Sequence, residues 1–209
     1  MDSPLRSLAV VFCALCLAAA PALAQKSAPP GAATGQPQPG AAAKPPAPTP
    51  AAVLDSLYGK LAKATDANEA HGILMSIERA HMLSGSPTSD LLMDRAMTAM
   101  RGQNPKLALD LLDQIVAFDP DWAEGWNKRA TVRFEQNDDT GSMNDISRVL
   151  AIDPRHVGAL SGMGGIMQRN GYDKGALAAF KRVQELFPAQ EGLGKVIEKL
   201  TGEVEGRGI

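Results

Sequence analysis

Leu109–Pro120 reads LDLLDQIVAFDP, Met143–Pro154 reads MNDISRVLAIDP and Leu177–Pro188 reads LAAFKRVQELFP. The closing prolines, Pro120, Pro154 and Pro188, stand 34 residues apart. Apolar residues recur in step before each of them: Leu112, Ile146 and Phe180; then Ile115, Val149 and Val183; then Phe118, Ile152 and Leu186 or Phe187. Spacings of three and four put these residues on one helix face, and a proline without an N–H ends each helix. A fixed period of this length marks a helical repeat array, whose units bury their apolar faces by stacking on one another. Such folds present surfaces, so the question becomes what is held.

The helical period predicts segments at Leu91–Arg101, Lys106–Phe118, Trp122–Gln136, Ser142–Ile152, His156–Asn170 and Lys174–Leu186. Asn137–Gly141 reads as a loop. A last helix near Gln190–Leu200, with Leu193, Val196, Ile197 and Leu200 on one face, reads as a terminal cap, and the residues after Thr201 are expected to fray. Upstream, Val53, Leu54, Leu57 and Leu61, then Ile73, Leu74 and Ile77, mark a further helical pair within 53–88.

Before that pair, residues 25–52 hold eight prolines and only two charges, Lys26 and Lys44. Nothing there can bury a face, so the stretch reads as a disordered Ala/Pro-rich linker. Residues 1–24 read as a signal peptide: Arg6, an apolar run at Leu8–Ala20, Pro21, and the small-x-small site Ala22-Leu23-Ala24. Both cysteines, Cys13 and Cys16, fall inside it, so their spacing is neither a redox nor a metal motif. Export to a bacterial periplasm is expected, with no membrane insertion once the leader is cleaved.

The 209 residues carry 21 Lys plus Arg against 23 Asp plus Glu, a net charge of −2. That balance gives no basic face for nucleic acid. Aromatic residues are few, and the composition suits helices rather than strands.

Position by position, the units resemble the tetratricopeptide repeat (TPR) family. Counted as 89–122, 123–156 and 157–190, they place Leu92, Trp126 and Leu160 at the fourth position and Ala96, Ala130 and Gly164 at the small eighth. Ala108, Ser142 and Ala176 fill the twentieth position, and Leu112, Ile146 and Phe180 the twenty-fourth. Arg95 and Arg129 depart from the usual Leu at the seventh. Ala99, Arg133 and Met167 depart from the usual aromatic at the eleventh. The resemblance implies an all-α fold, antiparallel helix pairs stacked as a right-handed α-solenoid, with residues 191–209 as capping helix and tail. The pair in 53–88 would be a degenerate fourth repeat, with Tyr58 and Ala62 at its fourth and eighth positions.

The family lines its concave groove from the first helix of each pair. Here that implies Met93, Met97 and Met100, then Asn127, Thr131 and Phe134, then Ser161 and Gln168. The three methionines form one stripe, suited to adaptable apolar contacts. Either they face the groove or they pack against the preceding pair. Some family members grip a C-terminal carboxylate with basic groove residues at the fifth and ninth positions. Met93, Asn127, Ser161, Met97, Thr131 and Gly165 stand there instead, so an apolar or mixed peptide is the expected ligand.

Catalysis finds little support. His71, Glu78 and His81 share a helix face but lack the i, i+4 pairing of a zinc helix. Gly162-Met163-Gly164-Gly165 has no strand before it, and Asn137-Asp138-Asp139 lacks a calcium loop's alternating ligands. The reading is a non-catalytic adaptor without metal or cofactor, binding a partner protein or peptide. A homo-oligomeric scaffold, in which the partner is a second copy, and a chaperone-like peptide binder remain open beside it. So does a metal-binding or enzymatic accessory role on the His71–Glu78–His81 face.

Overall fold

The computed structural model describes residues 49–206. The leader read in residues 1–24 and nearly all of the linker read in 25–52 lie outside them. Nine helices occupy the described residues: α1 (Pro50–Leu61), α2 (Ala67–His81), α3 (Pro87–Arg101), α4 (Pro105–Phe118), α5 (Ala123–Glu135), α6 (Asp139–Ile152), α7 (Val157–Arg169), α8 (Asp173–Leu186) and α9 (Leu193–Gly206).

Several boundaries differ from expectation. α3 starts at Pro87 rather than Leu91, with Ser86 as its cap and proline in its first turn, and α9 starts at Leu193 rather than near Gln190. α1 starts at Pro50, inside the stretch read as linker. Thr49 caps it by accepting from the Ala52 N–H, and proline in the first turn gives up no helical bond. α6 starts at Asp139 because Asp138 accepts from the Gly141 N–H at 2.9 Å, so residues read as loop form a first turn. α9 continues past Thr201 to Gly206.

α3 pairs with α4, α5 with α6 and α7 with α8, while α4 packs on α5, α6 on α7 and α8 on α9. The eighth-position residues sit where paired helices come closest: Ala96 and Ala130 are buried, and a Cβ on Gly164 would lie 2.7 Å from the Phe180 ring. Leu112, Ile115, Val149 and Val183 are fully buried, each contributing about 1.5–3 kcal/mol by leaving water. Ser142, at the small twentieth position, is buried with its hydroxyl donating to the Ala130 carbonyl.

The seventh-position arginines have separate explanations. Arg129 reaches Asp113 on α4 at 2.8 Å and Asp145 on α6 at 2.7 Å, and Arg133 adds a 2.9 Å bond to the same buried Asp145. An ionic clamp thus stands where the family uses a leucine. Burial works against the charged guanidinium of Arg129, yet the two aspartates outweigh it and raise its pKa further.

Arg95 marks the end of the stack. At the third and tenth positions, Gly125 and Val132, then Ala159 and Ile166, are buried. Their counterparts on α3, Leu91 and Thr98, are exposed, as is Arg95. Among the described residues no helix packs on this face of α3 as α4 packs on α5, and its exposed Arg95 and Thr98 suit the end of an array.

The pair α1–α2 is therefore not a fourth stacked repeat. α2 does not pack on α3 as α4 packs on α5, and Ala62, assigned to the close-packed eighth position, is exposed. Instead Tyr58, Leu61, Ala64, Ala70 and Ile77 share one core with Val157 and Leu160 of α7, Val183 and Leu186 of α8, Phe187 and Leu193. The hairpin folds back over the C-terminal repeat. Non-local polar contacts agree: the Tyr58 hydroxyl donates to Asp153 at 3.2 Å, Arg155 pairs with Asp55 at 2.8 Å, and the Trp122 indole N–H donates to the His81 carbonyl at 2.8 Å.

Candidate functional site

The face lined by α5 and α7 divides in two. Its near half, at the N-terminal ends of those helices, is covered by α2. Between them lies a cleft of about 270 Å³, walled by Leu74, Ile77 and Glu78 of α2 and by Asn127, Gly158 and Ser161 of the array. Its far half, with Thr131, Phe134 and Gln168, contributes no residue to that cleft.

The eight groove candidates fall into three groups. Asn127 and Ser161 line the cleft under α2. Thr131 is exposed, Gln168 is half-buried, and Phe134 is exposed with the Arg169 guanidinium 4.1 Å from its ring centroid. The methionine stripe divides. Met93 is 1% exposed and belongs to the core with Ala96, Leu112 and Trp122, so it offers a partner nothing. Met82, just past the end of α2, packs on the same cluster and helps close that position. Met97 and Met100 are half-buried against it.

A polar latch at the rim of the cleft joins α2 to the array. His156 caps α7: its Nδ1 accepts from the Ala159 N–H at 3.2 Å. The ring proton therefore sits on Nε2, which donates to the buried Glu124 at 3.0 Å. Lys128 reaches the other Glu124 oxygen at 2.8 Å. Burial alone would raise the pKa of Glu124, but the His156 hydrogen bond and the Lys128 charge bring it down to about 2. His81, from α2, stacks on His156 and stands 3.2 Å from Asp153 without a hydrogen bond of good geometry. Asp153 is lowered as well, with its burial outweighed by the His81 imidazole and the Arg155 backbone N–H. Burial, together with the same Asp153, pushes the Tyr58 phenol up.

The expected His71–Glu78–His81 face does not form. His71 and Glu78 are exposed, while His81 turns inward. By distance alone His81, Glu124 and His156 could share a metal ion, their ligand atoms lying within 4.8 Å of one another. The chemistry argues otherwise. Nε2 of His156 carries the proton, the stacked rings aim their lone pairs in parallel planes, and Lys128 already neutralises Glu124. The trio fits a closed hydrogen-bonded latch better than a ligand set.

A second cavity, about 870 Å³, lies among the ends of α6 to α9. Met143, Ile166, Met167 and Val204 line it together with Tyr172, and none of the groove candidates does. Among the described residues no helix is long and apolar enough to cross a membrane.

A scan against protein-family models finds no match. Solved structures of similar fold include the first TPR of Spaghetti (RPAP3) bound to an HSP90 peptide, which covers 57% of this chain and 95% of its own at a TM-score of 0.54 and 18% identity. The MamA protein covers 73% of this chain and 83% of its own, at 0.53 and 18%. At that identity the likeness concerns the fold alone. A relative in Rhizobium etli, described as a TPR repeat-containing protein, is 40% identical over 158 residues, spanning 74% of this chain and 78% of the relative. With these repeats and a relative of that identity and coverage, the chain belongs to the TPR repeat-containing proteins.

Proposed function

We propose that this TPR scaffold is a non-catalytic adaptor that holds a segment of a partner protein against the face of α5 and α7. The observation that carries the reading is α2. An amphipathic helix already lies across the near half of that face, so its shape and chemistry accept a helix. The far half offers Thr131, Phe134 and Gln168, with Met97 and Met100 at its edge, a mixed surface for an apolar or amphipathic segment. The RPAP3 domain was solved with the HSP90 peptide SRMEEVD, which ends on an aspartate. Here no basic residue stands at the fifth and ninth positions, so a ligand of another class is expected.

The leader read in residues 1–24 supports a place in the cell envelope, in the bacterial periplasm. Release of the protein by osmotic shock tests that location.

The adaptor role is tested by affinity capture from an envelope extract with the wild type and with Thr131→Arg, a substitution at an exposed position. The wild type should retain one dominant partner and Thr131→Arg should lose it, at equal helix content. Retention by both would place the partner elsewhere.

A further inference from the structure

We infer that α1–α2 is a built-in competitor: the surface of α7, α8 and the α8–α9 connection beneath it is a docking site for an amphipathic helix of a partner protein, which enters by displacing the hairpin. The inference rests on the helix-binding reading above and goes beyond it by assigning the site and the chemistry of its ligand.

Three observations converge on it. The first is placement. The hairpin joins the array only through Met82–Ser86 and skips its neighbour in sequence, α3, to lie on the last repeat. It can therefore leave with the helix pairings of α3–α9 intact, at the loss of the Trp122–His81 hydrogen bond.

The second is the quality of the fit. A cleft of about 270 Å³ remains between α2 and the array, so the lining atoms forgo dispersion contacts that a better-fitting helix would recover. The outermost of the polar ties that hold the hairpin is a weak one. Asp55 and Arg155 are 64% and 37% exposed at their side chains, where an ion pair is worth about 0–1 kcal/mol.

The third is the chemistry of what lies beneath. Removal of the hairpin bares Val157 and Phe187, which line the cleft opposite Leu74 and Ile77, in a core shared with Leu160, Val183 and Leu186. A continuous apolar patch of that kind does not stay open to water. One occupant must therefore replace another, and α2 defines what the replacement looks like. It presents Ala70, Ile73, Leu74 and Ile77 at helical spacing, closed by an aromatic ring, His81, that stacks on His156. A partner helix with that apolar stripe and a terminal aromatic or imidazole ring matches the site.

The test uses the full-length protein and a fluorescently labelled synthetic peptide of residues 49–86 as probe, read by anisotropy. In the wild type the internal hairpin outcompetes the probe. Ile77→Glu weakens the internal copy, and this variant should bind the peptide at least tenfold more tightly, with the helicity of α3–α9 retained. A peptide that itself carries Ile77→Glu should not bind. If the Ile77→Glu protein fails to fold, Asp55→Ala, which removes only an exposed rim contact of the internal copy and leaves the site itself unchanged, is read by the same criterion with a smaller gain. Absence of peptide binding in a folded variant would make the hairpin a fixed part of the core and overturn the inference. Equal binding by wild type and variant would place the peptide elsewhere and overturn it too. Partner capture that depends on Thr131, without peptide uptake, would sink this inference and leave the adaptor reading standing.

Discussion

The imidazole of His81 stacks on that of His156, ring centroids 4.5 Å apart and planes 11° from parallel. One ring belongs to α2 and the other caps α7, so the stack reports whether the hairpin is seated on the array.

The two rings are not equivalent. His156→Ala removes the α7 cap and one of the donors to buried Glu124, for a cost of about 2 kcal/mol. His81→Ala loses the stack beside an existing cleft, and about 1 kcal/mol is expected. Urea denaturation of both variants checks the order. A larger loss for His81→Ala would mean that the latch, rather than the cap, dominates.

Acid should release Glu124. Its folded-state pKa lies at about 2 against an ordinary 4.5, so the proton binds the unfolded chain first. The stabilisation is complete above pH 4.5 and is lost as the pH falls from there through 2, on the order of 3 kcal/mol. Stability curves of the wild type and Glu124→Gln should converge across that window. Parallel curves would show that His156 and Lys128 do not hold the charge.

Adjacent glycines of α7 should respond with opposite signs. A Cβ at 164 meets the Phe180 ring at 2.7 Å, whereas one at 165 meets nothing within 4 Å. Gly164→Ala should destabilise by about 1–3 kcal/mol through overpacking. Gly165→Ala should stabilise by roughly 0.5–1 kcal/mol through helix propensity. Thermal melts of the pair decide it, and a shared sign would contradict the packing of α7 on α8.

Asp145 is buried between Arg129 and Arg133. Asp145→Ala leaves two arginines short of their shared partner and should cost about 3 kcal/mol. A loss below about 1 kcal/mol in denaturant titration would reduce the clamp to a surface ion pair.

The stack was legible because its determinants are local and periodic. Pro120, Pro154 and Pro188 set the register, and small residues such as Gly164 mark where paired helices meet. The hairpin was not legible. Its seat depends on Tyr58 with Asp153 and His81 with His156, pairs that no short-range pattern connects. His81 therefore read as the partner of His71 and Glu78, when its neighbours lie on α5 and α7. Met93 read either as groove or as core against the preceding pair, and the sequence did not decide between them for a related reason. The fifth position lines an open groove in the repeat pattern, but here Met82 and Trp122 pack around the core that holds it. Leu91 carried a usable signal: a large residue stands where the later repeats have Gly125 and Ala159, as befits a face on which no helix stacks.

The most direct measurement is photo-crosslinking in the native cell with the reactive residue at Thr131, compared with one at exposed Gln114 on α4, followed by mass spectrometry. A dominant partner adduct at residue 131 and none at residue 114 is the result expected of an adaptor that works through the face of α5 and α7. Adducts at 114 alone, or none at 131 while the partner still co-purifies, would contradict it.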